Sequence, residues 1–119
     1  MAVKVYDSEL KVMEALWNNG DLTAGQLAKA LKAETGWSPN TTYTVIKKLI
    51  DKGAVERYGT NFSCKALITK EQVQQYETTE LVGKLFDGSA TAFLSAFLSG
   101  KELTQDEIAN LKQLVEKLK

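Results

Sequence analysis

Apolar side chains recur at helical spacing over several stretches of the chain. The first stretch covers residues 8–19, and the second begins at Thr23 and ends at Gly36. Thr23 and Gln26 have the spacing of a capping box, in which two side chains bond the free N–H groups of a helix start. Residues three and four apart share one face of a helix. We therefore predict two amphipathic helices.

A third helix has the clearest start signal. Ser38 is suited to cap it, and Pro39 is suited to its first position, where a missing N–H costs no hydrogen bond. Gly53 is suited to the left-handed backbone that often follows a helix end. The inward side is predicted to comprise Thr42, Val45, Ile46, Leu49 and Ile50.

A β-hairpin is predicted next, with strands at 55–58 and 62–67 on either side of a Gly59–Thr60–Asn61 turn. Three helices followed by a hairpin are typical of a winged helix-turn-helix. Residues 69–119 are predicted to be helical again. The predicted fold is thus mainly α with a small β-hairpin, in which a winged-helix domain at 1–68 precedes a helical dimerisation region at 69–119.

The outward side of the third helix suggests binding to double-stranded DNA. It has no carboxylate, although the chain contains 15 Asp and Glu residues. Asn, Thr and Lys can bond base edges or phosphates in the major groove, and a hairpin can contact the backbone or minor groove. The alternative is an ordinary solvated helix and turn. The candidate DNA-binding residues are Asn40, Thr41, Tyr43, Thr44, Lys47 and Lys48 on the helix, with Arg57, Tyr58, Thr60 and Asn61 on the hairpin.

Composition limits the other function classes. The net charge is zero, but residues 1–68 carry nine Lys and Arg against seven Asp and Glu, which places any DNA-binding surface in the first half. The chain has no histidine and one cysteine, so we expect no enzyme activity, metal site or cofactor. No small-molecule partner is evident. No signal peptide or apolar run of about 20 residues is present, so we expect a cytoplasmic location and no membrane partner.

The C-terminal half predicts a homodimer. About fifty residues interrupted by glycines are too few to bury its large apolar side chains in a core of their own. A second copy could cover them, and two-fold symmetry is the commonest arrangement. The alternative is that these helices fold back onto the first domain. The candidate dimerisation residues are Leu81, Leu85, Phe86, Phe93, Phe97, Leu111, Leu114 and Leu118.

Three segments resemble the penicillinase-repressor family, which includes beta-lactamase, methicillin-resistance and copper-responsive repressors. They are LKVMEALW at 10–17, LTA at 22–24 and NTTYTVIKKLIDKG at 40–53. The resemblance extends over nearly the whole chain. It implies a homodimer that binds a dyad-symmetric operator and blocks transcription. The base contacts that it implies match Asn40, Thr41, Tyr43, Thr44 and Lys48.

Two departures from the family concern regulation. Copper-responsive members have a cysteine-rich C-terminal motif, which this chain lacks, so metal sensing is not expected. Beta-lactam-responsive members are cleaved between an Asn and a Phe in the penultimate helix. The matching position here is Ala96–Phe97, where the Phe is present and the Asn is absent. Cleavage there by a regulatory protease is therefore left open.

The leading hypothesis from the sequence is a dimeric DNA-binding transcriptional repressor. A second hypothesis is a winged-helix protein–protein interaction module that does not bind DNA, and the near-zero net charge keeps it open. An enzyme is the weakest hypothesis, because the chain shows neither a recognisable pair of catalytic carboxylates nor a glycine-rich phosphate loop.

Overall fold

The computed structural model describes residues 3–118, which form two compact units. The first unit extends to Thr78 and the second begins at Thr79. Most of the described chain is helical, and its strands form one small sheet. The predicted fold class, mainly α with a small β-hairpin, is confirmed.

Three helices build the first unit: α1 (Asp7–Asn19), α2 (Ala24–Thr35) and α3 (Pro39–Asp51). The capping box predicted at the start of α2 is present. The Gln26 N–H donates to Thr23 Oγ1 at 3.1 Å, and the Thr23 N–H donates to Gln26 Oε1 at 2.9 Å. Both bonds satisfy donors that the first turn would otherwise leave free.

A three-stranded antiparallel sheet completes the first unit. Strand β3 (Ser63–Ala66) lies between β1 (Leu22–Thr23) and β2 (Val55–Tyr58). The predicted hairpin is confirmed as β2 and β3. Strand β1 was not predicted, because two residues are too few to show an alternating pattern. Next to it, the Ala24 N–H donates to Phe62 O at 2.9 Å, which joins the start of α2 to the hairpin.

The core of the first unit draws on every one of its helices. The inward side of α3 is confirmed: Thr42, Val45, Ile46 and Leu49 are buried, and Ile50 is half-buried. Apolar area removed from water stabilises the unit by roughly 25 cal/mol per Å². The largest fully buried side chains are Met13, Leu27, Leu31, Ile46, Leu49, Val12, Val55, Thr42 and Cys64.

The first unit extends past residue 68 into the next helix, α4 (Lys70–Leu85). Val73 of α4 is only 8% exposed and belongs to the core. The indole N–H of Trp17 donates to Ile68 O at 2.9 Å and holds the preceding segment against α1. The first turns of α4 thus pack with the core of the first unit, which extends to Thr78.

The second unit contains the end of α4, then α5 (Ala90–Ser99) and α6 (Gln105–Lys117). Asp87 and Gly88 separate the first two helices and both have a left-handed backbone, with φ of 50° and 82°. Within residues 3–118, no single helix is both long and apolar enough to cross a membrane. Helices α4 and α5 reach that length and composition only when they are taken together as a bent pair.

One prediction follows from a buried hydroxyl group in α3. Thr42 is fully buried, and its Oγ1 has no hydrogen-bond partner in the described part of the chain. Burying an unpaired hydroxyl costs roughly 1–3 kcal/mol, and a methyl group of the same shape avoids that cost. We expect Thr42→Val to raise the free energy of unfolding by about 1 kcal/mol in urea denaturation.

Thr44→Val is the matched control on the same helix. Thr44 is exposed, and its hydroxyl donates to Asn40 O at 2.9 Å, so its removal should bring no gain. A Thr42→Val variant that is less stable than the parent chain would contradict the prediction.

Candidate nucleic-acid interface

Helix α3 starts with a serine cap and a proline. The Thr41 N–H donates to Ser38 Oγ at 3.3 Å, and Pro39 occupies the first helical position, as predicted. Serine satisfies a free donor there, and proline loses no hydrogen bond at that position. This start, together with the buried inward side, determines which side chains of α3 face the solvent.

Every α3 residue predicted to bind DNA is exposed. Tyr43, the largest of them, is 44% exposed. In the part of the chain that the structure describes, Lys47 and Lys48 form no ion pair, so both ammonium groups are available to an anionic partner. We call this surface the outward face of α3. It consists of Asn40, Thr41, Tyr43, Thr44, Lys47 and Lys48.

Two hydroxyl groups of this face bond within the helix. Thr44 Oγ1 donates to Asn40 O at 2.9 Å, and Thr41 Oγ1 lies 3.0 Å from Ser38 Oγ. A threonine that bonds the preceding turn has a restricted side-chain rotation. The methyl group of Thr44 therefore has a defined position, and such a group can contact a thymine methyl.

The far end of α3 is anchored by a contact that was not predicted from the sequence. Lys52 Nζ donates to Glu9 Oε1 at 2.6 Å and to Lys4 O at 2.9 Å. Glu9 is 3% exposed and also accepts from the Tyr6 N–H at 2.9 Å. The pair joins the end of α3 to the start of α1. No local pattern signals it, because 43 positions separate Lys52 from Glu9.

The predicted DNA-binding residues of the hairpin differ in their surroundings. Arg57 lies over the ring of Phe62, with 3.9 Å between Cζ and the ring centroid. Thr60 and Asn61 are exposed in the turn between β2 and β3. Phe62 was not among the predicted site residues, and its backbone φ of 53° is unusual for a bulky side chain.

Tyr58 is exposed, but its hydroxyl group is already engaged. It donates to Asp21 Oδ2 at 2.6 Å. The hydrogen bond to the Asp21 carboxylate raises the pKa of Tyr58 above its ordinary value, so the phenol stays protonated. Tyr58 can therefore offer its ring to DNA while its hydroxyl fastens the hairpin to the loop before β1.

Neither thiol chemistry nor metal chemistry is evident. Cys64 is buried, and burial raises the pKa of its thiol, which keeps the sulfur protonated and unreactive. Among residues 3–118, no group of three or more His, Cys, Asp or Glu side chains is placed to hold a metal ion.

The predicted dimerisation residues lie in a unit without a buried core. None of the described residues from 79 to 118 is buried. Leu81, Leu85, Phe97, Leu114 and Leu118 are exposed, whereas Phe86, Phe93 and Leu111 are half-buried. The Phe86 and Phe93 rings meet edge to face with centroids 5.6 Å apart. Ala96 and Phe97, the position matched to the family's cleavage site, are exposed within α5.

The family of this chain is established by comparison with known sequences. The family model described as "Penicillinase repressor" matches residues 6–117, which is nearly the whole chain. This chain belongs to the penicillinase repressor family. The predicted resemblance is therefore confirmed.

Two relatives show how far the similarity to penicillinase repressors extends. A penicillinase repressor of Bacillus licheniformis is 26% identical over 118 residues, which cover 98% of this chain and 92% of the relative. The methicillin resistance regulatory protein MecI of Staphylococcus aureus strain N315 is 24% identical over 116 residues, covering 96% and 94%. Relatives in the penicillinase repressor family are thus named as regulators, in agreement with the prediction of a non-enzymatic protein.

Two solved structures of the repressor BlaI confirm the winged-helix fold. Compared with this chain, the DNA-binding domain of the repressor BlaI has a TM-score of 0.56 and a sequence identity of 27%. The match covers 60% of this chain and 90% of the BlaI domain. The monomeric form of Bacillus licheniformis BlaI in complex with the blaP half-operator has a TM-score of 0.53 and 28% identity, with coverage of 60% and 90%.

The Glu9–Lys52 contact leads to a second prediction. Lys52→Met keeps the length of the side chain but leaves the buried Glu9 carboxylate without its cation. A hydrogen bond lost from a buried charged group costs roughly 1–3 kcal/mol. We expect the free energy of unfolding to fall by about that amount, measured by urea denaturation.

Lys47→Met is the control, since Lys47 is exposed on the same helix and forms no ion pair among the described residues. It should change the free energy of unfolding by less than about 0.5 kcal/mol. Equal losses in the two variants would show that the contact with Glu9 does not stabilise the chain.

Proposed function

We propose that this protein is a dimeric transcriptional repressor that binds a dyad-symmetric DNA operator through its winged helix. The observation that carries the proposal is the exposed outward face of α3. This face has no carboxylate and ends in two lysines that form no ion pair among residues 3–118. Membership of the penicillinase repressor family supports it, as does the similarity to BlaI, which has been solved with a half-operator.

In this proposal α3 enters the major groove. Asn40 can bond an adenine with both groups of its amide, and Thr44 can place its methyl group against a thymine. Lys47 and Lys48 neutralise phosphates or bond a guanine. Tyr43 adds a broad contact surface. Arg57, Tyr58, Thr60 and Asn61 contact the DNA backbone or the minor groove beside it.

The dimer rests on the second unit. Its described residues expose leucine and phenylalanine side chains and bury none of them fully, with Leu85 66% and Leu118 79% exposed. Apolar surface of this kind is covered when a second copy packs against it, and two-fold symmetry gives both copies the same contacts. Two α3 helices related in this way would read half-sites about 34 Å apart, or a multiple of that distance.

Regulation of the repressor by a protease stays a prediction. The position in question, Ala96–Phe97, is exposed but helical. Ala96 stands where the cleaved family members have an Asn before the Phe. Whether the bond between Ala96 and Phe97 is cut therefore needs a direct test. A cytoplasmic location likewise stays a prediction.

Binding to DNA is tested by its dependence on salt. The probe is a duplex selected from genomic fragments by the full chain, and titrations at several salt concentrations give the slope of log K against log [salt]. Each lost phosphate contact reduces this slope by about 0.9 in magnitude. We expect Lys48→Ala to reduce it by about one such unit, whereas Lys117→Ala in α6 should leave it unchanged.

The outcomes separate the two function hypotheses. Absence of binding to any selected duplex, or binding that does not depend on salt, would refute the repressor. Recovery of a protein partner whose binding is lost in Tyr43→Ala, with no DNA complex formed, would support the protein–protein interaction module.

The dimer is tested with a charged substitution in α6. Leu114 is 55% exposed, and a leucine buried at an interface contributes about 1.5–3 kcal/mol. We therefore expect Leu114→Asp to raise the dimer dissociation constant by at least about tenfold in sedimentation equilibrium.

Leu67→Asp is the matched control. Leu67 is 49% exposed in the first unit, and its substitution should leave the dimer unchanged. A parent chain that is monomeric at every concentration would refute the dimer, and so would a Leu114→Asp variant that dimerises as well as the parent.

A further inference from the structure

The turn of the hairpin has an unusual residue in a left-handed backbone. Gly59 adopts a φ of 73°, as glycine readily does, but Phe62 adopts a φ of 53°. Asparagine tolerates a left-handed backbone better than phenylalanine does. The turn contains an asparagine, Asn61, but the left-handed conformation falls on the next residue, Phe62. Backbone strain at a bulky side chain persists only where its surroundings hold it.

Two contacts hold Phe62 in place. Its carbonyl oxygen accepts the Ala24 N–H at 2.9 Å, which ties the turn to the first residue of α2. Its ring is half-buried and packs against the core of the first unit. The ring therefore has a defined position relative to the helix-turn-helix.

Arg57 lies directly on this ring, with 3.9 Å between its Cζ atom and the ring centroid. A planar guanidinium can stack on an aromatic face while its N–H donors remain free at the edges. No ion pair engages Arg57 in the part of the chain that the structure describes. The contact with the ring thus restricts the long side chain of Arg57 and leaves its charge available.

The strand that carries Arg57 is fastened as well. Its neighbour Tyr58 donates to Asp21 Oδ2 at 2.6 Å, so the end of β2 is held against the loop before β1. Strand β2 also packs against α3. The strand that carries Arg57 is therefore held next to the helix whose outward face is the candidate DNA reader.

We propose that Phe62 is a positioning residue that holds Arg57 ready to bind a phosphate of the DNA backbone. This inference rests on the proposed function. It adds the reason for a phenylalanine at a strained turn position: the ring orders the guanidinium before DNA arrives, so less side-chain freedom is lost on binding. The contact strengthens binding without reading sequence, because phosphates are the same at every base pair.

The experiment is a double-mutant cycle of Phe62→Leu and Arg57→Ala in the full chain, with the duplex selected by that chain as the probe. Leucine keeps an apolar side chain but removes the aromatic face. We expect Phe62→Leu to weaken binding about threefold while Arg57 is present and to have no effect in the Arg57→Ala background. Arg57→Ala should reduce the salt slope by about 0.9, whereas Phe62→Leu should leave the slope unchanged.

Two further variants make the test independent of folding defects. Phe62→Tyr retains the ring and should bind as the parent does. Arg57→Lys retains the charge but loses the planar stack, so it should lose about the same factor as Phe62→Leu with an unchanged slope. Thermal unfolding shows whether each variant is folded. If Phe62→Leu does not fold, the binding of Arg57→Lys is used to test the inference instead.

The outcomes distinguish this inference from the proposed function. If Phe62→Leu weakens binding equally with and without Arg57, the ring has only a structural role and the inference is overturned. The inference also fails if Arg57→Ala leaves the salt slope unchanged. It fails as well if Arg57→Ala weakens binding to the selected duplex but not to a scrambled duplex, because a phosphate contact does not depend on sequence. In these cases the salt slope of Lys48→Ala still tests the proposed repressor function independently. If the parent chain binds no duplex, the proposed function itself fails.

Discussion

Burial of one side of α3 is the constraint on which the rest of the interface depends. Ile46 and Leu49 are almost completely enclosed, so α3 cannot rotate without exposing them. The opposite side, from Asn40 to Lys48, is therefore presented to solvent in one orientation. Glu9 and Lys52 then hold the far end of the helix against α1. A hydrophobic core and one polar contact together convert an amphipathic segment into a rigid surface.

The distribution of ion pairs explains how a chain with zero net charge can present a basic surface. In the part of the chain that the structure describes, Lys52 neutralises Glu9, and Lys11 and Lys4 lie 3.7 Å from Glu34 and Glu77. Asp21 accepts the hydroxyl of Tyr58. Among the same described residues, Lys47 and Lys48 of α3 form no ion pair. Because screening limits exposed charges to about 10 Å, these nearby groups matter more to DNA than the total charge does.

The two units differ in what stabilises them. The first has a continuous core from α1 to Val73 within a single copy of the chain. The second has helix caps and aromatic contacts such as Phe86–Phe93, but none of its described residues is buried. In the proposed dimer, a second copy would cover the apolar side chains that this unit leaves exposed.

Local sequence was enough to predict the helices, the caps of α2 and α3, and the two sides of α3. These features depend on residues within four positions of each other, as Ser38 and Pro39 illustrate. Only the tertiary structure revealed β1, the contact of Lys52 with Glu9, and the partner of Tyr58. Each of them joins segments far apart in the chain, and no local pattern encodes such a meeting. Phe62 shows the same limit: its ring and Arg57 come together only because the turn folds back on the strand.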